Sequence, residues 1–152
     1  MSKIVWFTGQ PGSGKTTLAN QLILELKKHD IDNIIHIDGD DLRDLTDNKD
    51  YSEKGRRKNI TLAQKIALFC SNKDFNVIVS LVAPFKDLRD IFKNKHNVLE
   101  FYLYTDKKRG REHFFSDDYE KPSENYYKLD TGENSIDSCT EIILNKFLGK
   151  DI

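Results

Sequence analysis

Gly9-Gln10-Pro11-Gly12-Ser13-Gly14-Lys15-Thr16 fits the pattern G-x-x-x-x-G-K-[ST]. At average composition, a chance match somewhere in 152 residues has odds of roughly one in two hundred. The context sharpens the match, because an apolar run precedes it and an amphipathic helical pattern follows it. Glycines at these positions let backbone N–H groups converge on phosphate oxygens, and the start of a helix adds partial positive charge. Lys15 can reach the β- and γ-phosphates of a nucleotide, and the Thr16 hydroxyl can hold Mg²⁺. Gly9, Gln10, Pro11, Gly12, Ser13, Gly14, Lys15, Thr16 and the adjoining Thr17 are therefore candidate ATP-binding residues, with ATP and Mg²⁺ as the expected cofactors.

A phosphate cradle alone does not say what happens to the phosphate. Asn72-Lys73-Asp74 and Asn48-Lys49-Asp50 each put the aspartate one residue too early for the Asn-Lys-x-Asp base reader of a GTPase. A motor or transporter ATPase needs an acid closing its third apolar strand, and Val77-Ile78-Val79 ends in Ser80. The acids follow the second strand instead, as Asp38-Gly39-Asp40. On an extended segment, side chains at i and i+2 share a face. Two carboxylates so placed can divide the labour, Asp38 toward Mg²⁺ with Thr16, and Asp40 accepting the proton of an attacking hydroxyl. Asp40, Asp38 and Lys15 are the candidate catalytic residues, the two aspartates being able to exchange roles. Transfer to a hydroxyl fits this set better than hydrolysis.

The elements that must hold these groups alternate short apolar runs with helical periods. Residues 4–7, 34–37, 77–82, 98–104 and 127–129 read as strands, and 16–28, 56–70, 85–93 and 136–147 as helices. Such alternation predicts right-handed βαβ units, a doubly wound α/β fold whose parallel sheet is covered on both faces. At 152 residues the chain reads as one domain. Two connections, 38–52 and 106–125, leave the carboxyl ends of strands, where open α/β sheets bind ligands. The first holds a run of aspartates, of which Asp41, Asp44, Asp47 and Asp50 read as a solvated loop. The second carries Lys107, Lys108, Arg109 and Arg111, and reads as a basic lid in which Arg109 is a further ATP-binding candidate.

Composition removes other classes. Twenty-four Lys+Arg against 25 Asp+Glu leave a net charge of −1, so no basic field argues for nucleic acid. With mean hydropathy −0.63 and no apolar run near the ~20 residues of a membrane span, a soluble cytoplasmic protein is expected. A strand-like segment starts almost at once, leaving no room for a secretory leader. Cys70 and Cys139 show no metal or redox spacing and read as buried small apolar residues. His29, His36, His96 and His113 make no metal-ligand pattern, Trp6 reads as core, and Ser80 has no nucleophile-elbow context.

Several stretches together resemble the adenylylsulfate (APS) kinases, in order and over nearly the whole chain. They are Trp6-Phe7-Thr8-Gly9 leading into the P-loop, Asp38-Gly39-Asp40-Asp41-Leu42-Arg43, and Tyr51-Ser52-Glu53-Lys54-Gly55-Arg56-Arg57-Lys58-Asn59-Ile60. Ser80-Leu81-Val82-Ala83-Pro84-Phe85-Lys86 is similar to that family's Ser-x-Ile-Ser-Pro-Tyr-Arg turn, and Leu129-Asp130-Thr131 to its closing strand. The resemblance implies ATP-dependent phosphorylation of the ribose 3′-hydroxyl of adenylylsulfate, a small anionic nucleotide, and suggests a homodimer. By matching position, Arg43, Arg56 and Asn59 would bind the acceptor's phosphosulfate, and Tyr51 would replace a phenylalanine that stacks on its base. Val82, Ala83, Phe114 and Phe115 would complete the acceptor side. Arg56 and Asn59, three apart at a helix start, also share a face where the helix dipole favours anions.

The chain departs from that family in its lid, which reaches Tyr119-Glu120-Lys121-Pro122 more than about ten residues early, such loops varying freely in length. The family's lid lysine has His113 as its nearest counterpart, and Ala83 stands where a serine is usual. Which of Phe114 and Phe115 faces the base is open. A short lid equally suits the cytidine diphosphoramidate kinases, which also resemble this chain. A nucleotide-binding protein without catalysis is the remaining alternative.

Overall fold

Ile4 and Trp6 face one way and Val5 and Phe7 the other, yet all four are buried, because helices cover both faces of the strand that carries them. The computed structural model describes residues 2–150. In chain order it contains β1 (Ile4–Thr8), α1 (Lys15–Lys28), β2 (Ile34–Asp38), α2 (Gly39–Thr46), α3 (Glu53–Ser71), β3 (Asn76–Ser80), α4 (Lys86–Lys95), β4 (Val98–Tyr104), β5 (Tyr127–Asp130) and α5 (Ile136–Phe147). The sheet order is β2-β3-β1-β4-β5, with every neighbouring pair parallel. This is the doubly wound arrangement that the alternation of elements predicts.

On one face, Ile4, Trp6, Val77 and Val79 pack against Ile60, Ala63 and Ala67 of α3, with Phe92 of α4 set edge-on to Trp6 at 5.8 Å. On the other, Val5, Phe7, Ile78 and Phe101 pack against Leu18, Leu22 and Leu26 of α1 and Ile143 and Phe147 of α5. Small residues on α3 let that helix lie close to the sheet. The register pairs Phe7 and Asp38 with Ser80, and Thr8 with Tyr102. The carboxyl ends of the central strands thus finish level, along one edge.

Four expectations are corrected. Residues 39–46 form α2 rather than open loop, so Asp41 and Asp44 sit on a helix, although both stay exposed. The helix has two turns and one buried residue, Leu42, too little for a visible period. It forms because Asp38 accepts the Asp40 amide as N-cap, and Asp40 and Asp41 oppose the dipole. The strand expected over 77–82 stops at Ser80; the Leu81 amide still donates to the Phe7 carbonyl of β1 at 3.2 Å, and the chain then turns away with Ala83 at φ 45°. α3 starts at Glu53, capped by Ser52. That leaves Arg56 and Asn59 beyond the first turn, where little dipole field remains. Cys139 is buried as expected, but Cys70 is only partly so.

Candidate active site

The loop between β1 and α1 folds as a nest. Gly12 and Gly14 take φ of 83° and 102°, a left-handed region that suits glycine. Gly9 allows close approach, since a Cβ there would lie 2.3 Å from the Leu103 carbonyl oxygen. The N-termini of α2, α3 and α5 are each capped by a side chain and carry an acid in the first turn. That of α1 has neither, and its cap is Gly14. Its free amides and positive dipole end are therefore left for an anion from outside the chain.

Lys15 bends back over this nest. Its Nζ donates to the carbonyls of Gly9 and Gln10, both at 2.9 Å. Burial pushes its pKa down to about 8, against the smaller opposing pull of Asp38 and Asp40. Beside it, the Thr16 hydroxyl lies 3.5 Å from Asp38 Oδ2. The other Asp38 oxygen accepts the Asp40 amide at 3.2 Å. The two aspartates are thus set by a helix cap and not by strand alternation, a second departure from the expected extended geometry. Asp38 is half-buried toward Thr16, and Asp40 is exposed on the first turn of α2.

Across a cleft of about 980 Å³, α2, α3 and the β3–α4 turn supply the opposite wall. This is the upper end of the ~300–1,000 Å³ usual for ligand sites. Asn59 is buried on that wall, its Nδ2 3.5 Å from the Gly39 carbonyl and its Oδ1 without a partner. Arg43 donates to the carbonyls of Asn48 and Asp50, both at 3.1 Å, and its guanidinium lies 4.0 Å from the centre of the exposed Tyr51 ring. Arg56 is held by Asp118 through both carboxylate oxygens, at 2.9 and 2.8 Å, and by the Ser116 hydroxyl at 2.9 Å. That guanidinium keeps the Asp118 carboxyl well below the usual carboxylate range. Val82, Ala83, Phe114 and Phe115 also line the cleft, with both phenylalanines exposed.

Of the cradle candidates, Pro11, Gly12, Gly14, Lys15, Thr16 and Thr17 line the cleft. Gly9 and Ser13 lie under the loop, and the side chain of Gln10 turns away to pair with the backbone of Ser116, accepting from its amide and donating to its carbonyl, both at 2.9 Å. Arg109 reaches the nest from the β4–β5 connection, donating to the carbonyls of Gly12 at 3.1 Å and Thr131 at 2.7 Å. Arg111 lines the cleft as well.

Sequence reasoning missed the groups that fasten this connection. Tyr119 shares a hydrogen bond of 2.8 Å with Thr8, which in turn donates to the Val82 carbonyl. Glu120 Oε1 accepts the Lys86 amide at 3.0 Å, capping α4 where Phe85 cannot. Buried Arg89 donates to the carbonyls of Ala83 and Glu120. His36, set aside on spacing, lies with Nε2 2.7 Å from the Ser80 hydroxyl at the cleft floor. No local signal marks these contacts, which join segments far apart in the chain.

The family model described as adenylylsulphate kinase matches residues 1–135. The chain belongs to that family. An adenylyl-sulfate kinase of Prochlorococcus marinus is 31% identical, over 97% of this chain and 84% of its own length. The cytidine diphosphoramidate kinase of Campylobacter jejuni is 34% identical, over 68% of this chain and 61% of its own. The solved Mycobacterium tuberculosis APS kinase in complex with AMPPNP and APS superposes with a TM-score of 0.83 at 22% identity, covering 97% of this chain and 98% of that one. The adenylylsulphate kinase family fold is thus present over nearly the whole chain. Among the described residues no helix is long and apolar enough to cross a membrane.

Proposed function

We propose that this protein transfers the γ-phosphate of ATP to the ribose 3′-hydroxyl of adenylylsulfate, giving ADP and 3′-phosphoadenylylsulfate. The observation that carries this reading is the cleft itself: an uncapped helix mouth with Lys15 at one end, cationic Arg43 and Arg56 with buried Asn59 at the other, and Asp38 and Asp40 between. A hydrolase has no use for the second, cationic end. Family membership and the Prochlorococcus marinus relative support the same acceptor.

In this reading the nest amides and Lys15 hold the β- and γ-phosphates, and Arg109, on a lid formed by residues 106–125 of the one domain, closes over them. Arg43, Arg56 and Asn59 hold the acceptor's anionic group, with Tyr51 and Phe114 or Phe115 against its base. Asp40 takes the 3′-hydroxyl proton as that oxygen attacks the γ-phosphorus and the bond to ADP breaks. Thr16 and Asp38 are paired hard oxygens, and no cluster of three or more metal-binding side chains occurs among the described residues. That donor set suits Mg²⁺, which is usually shared between substrate phosphates and one or two protein oxygens. Mg²⁺ held there would neutralise charge on the phosphates.

A second acceptor, cytidine diphosphoramidate, is favoured by the Campylobacter jejuni relative. Incubation with γ-labelled ATP and either acceptor separates the two. Label in 3′-phosphoadenylylsulfate supports the first, label in the cytidine product the second, and label in neither removes the kinase reading. Arg56→Ala is expected to raise the acceptor KM about 10- to 100-fold, as for lost charge-assisted hydrogen bonds. An unchanged KM takes Arg56 out of the acceptor site.

Lys15 also gives a pH signature. Its pKa of about 8 in the free protein rises when phosphate oxygens replace backbone carbonyls as its partners. Binding of ADP·Mg should then take up close to one proton at about pH 9 and almost none through this group at about pH 7, and weaken as pH rises through 8. Calorimetry in buffers of different ionisation enthalpy reads this directly. Equal heats in all buffers at the higher pH mean that Lys15 takes up no proton on binding, which overturns this signature.

A further inference from the structure

Arg56 lines the cleft, but both of its terminal nitrogens are occupied by a single carboxylate, that of Asp118. This fork-to-fork geometry is the one a phosphate or sulfate group requires of a guanidinium. The Arg56 Nε is buried, so the terminal edge that Asp118 holds is the one an outside anion could take, and that edge cannot serve two anions at once. Arg43, across the same wall, meets backbone carbonyls, the side-chain oxygen of Asn48 and the Tyr51 ring, and forms no ion pair among the described residues. The two arginines are thus in different states, one neutralised from within the chain and one not.

Asp118 is held in place from both sides. Two residues earlier, the Ser116 backbone is gripped by the Gln10 amide of the P-loop, and its hydroxyl accepts from Arg56 while donating to Asp118. Two residues later, Glu120 is clamped by Pro84, Lys86 and Arg89. The carboxylate itself is half exposed, its side chain 47% accessible, and nothing buries the pair beyond recovery. An ion pair so placed is strong enough to persist and exposed enough to exchange.

We propose that Asp118 is a built-in competitor for the acceptor's anionic group, occupying Arg56 until the acceptor displaces it and so setting acceptor affinity. This rests on the acceptor-site reading of Arg56 given above. Displacement costs the Arg56–Asp118 pair, and the freed carboxylate gains water. The lid tip between Ser116 and Glu120 therefore changes partners when the acceptor enters, while the Glu120 root stays on α4.

Asp118→Asn keeps the shape and hydrogen bonds to Ser116 and removes the charge. Its expected effect is a fall of about three- to tenfold in the KM for adenylylsulfate, with kcat and the KM for ATP within twofold of the parent. Asp118→Glu, which retains the charge, should return the KM toward the parent value. Were Asp118 only a structural brace for the lid, Asp118→Asn would raise the acceptor KM or lower kcat instead, which overturns the proposal. Should Asp118→Asn fold poorly, Ser116→Ala loosens the same pair and should lower the acceptor KM in the same direction; no fall there overturns it equally. A double-mutant cycle separates the two levels of inference. Arg56→Ala leaving the acceptor KM unchanged removes the acceptor site itself. Arg56→Ala raising it, with no fall from Asp118→Asn in the parent background, removes only the competitor.

Discussion

Asp40→Asn is expected to lower kcat by about 10²- to 10⁴-fold, the range for losing a positioned general base. The substitution is nearly isosteric and keeps the helix, because the cap of α2 comes from Asp38 and Asp41 still opposes the dipole. Asp40 is exposed to the cleft on the first turn of α2. Asn can still receive a hydrogen bond from the acceptor hydroxyl but cannot take its proton. ADP affinity should therefore stay within a few-fold of the parent, while turnover falls. Near-normal turnover would transfer the base role to Asp38. The reciprocal variant reads out differently: Asp38→Asn keeps a capping oxygen for the Asp40 amide but removes the carboxylate charge facing Thr16, so it should weaken ATP·Mg binding as well as kcat.

Lys15→Ala is expected to cost about 10²- to 10³-fold in kcat, as for removal of one preorganised group that meets developing charge. It should not lower the melting temperature. In the free protein Lys15 is a desolvated cation whose pKa is depressed to about 8. Its three acceptors are the two loop carbonyls and the Ser13 hydroxyl, the last at 3.4 Å. Because the folded state binds its proton less well than the unfolded state, the group favours unfolding at pH below about 8, and this penalty fades as pH rises above it. Removing the ammonium relieves that desolvation, while water can enter to satisfy the carbonyls. An inactive variant with an unchanged or raised melting temperature separates catalysis from folding. A variant that melts well below the parent would make Lys15 a structural clasp of the loop.

The cradle and the strands were legible because each is written in adjacent residues. Gly12 and Gly14 permit the left-handed φ that a nest requires, and the β-branched run at Val77–Val79 needs two covered faces. Helix α2 was not legible, since its stability comes from one cap and one buried leucine. Arg43, Arg56 and Asn59 could be marked as acceptor residues, but nothing nearby foretold that Arg56 would be engaged by Asp118, 62 residues on. Nor could spacing show Gln10 turned from the phosphates toward Ser116, 106 residues away. The second turn of α3, where Arg56 and Asn59 stand, depends on where Ser52 caps it.

Local chemistry in the chain was enough to specify a phosphate nest, an α/β alternation and a pair of acids after the second strand. Backbone conformation and hydrophobic period act over a few residues, so they can be read without knowing any neighbour. The partners of those acids and cations are another matter. The order β2-β3-β1-β4-β5 brings the ends of β1, β2 and β3 level and folds the β4–β5 connection across them. Contacts between loops that leave different strands follow from that packing order, which no stretch of contiguous residues encodes.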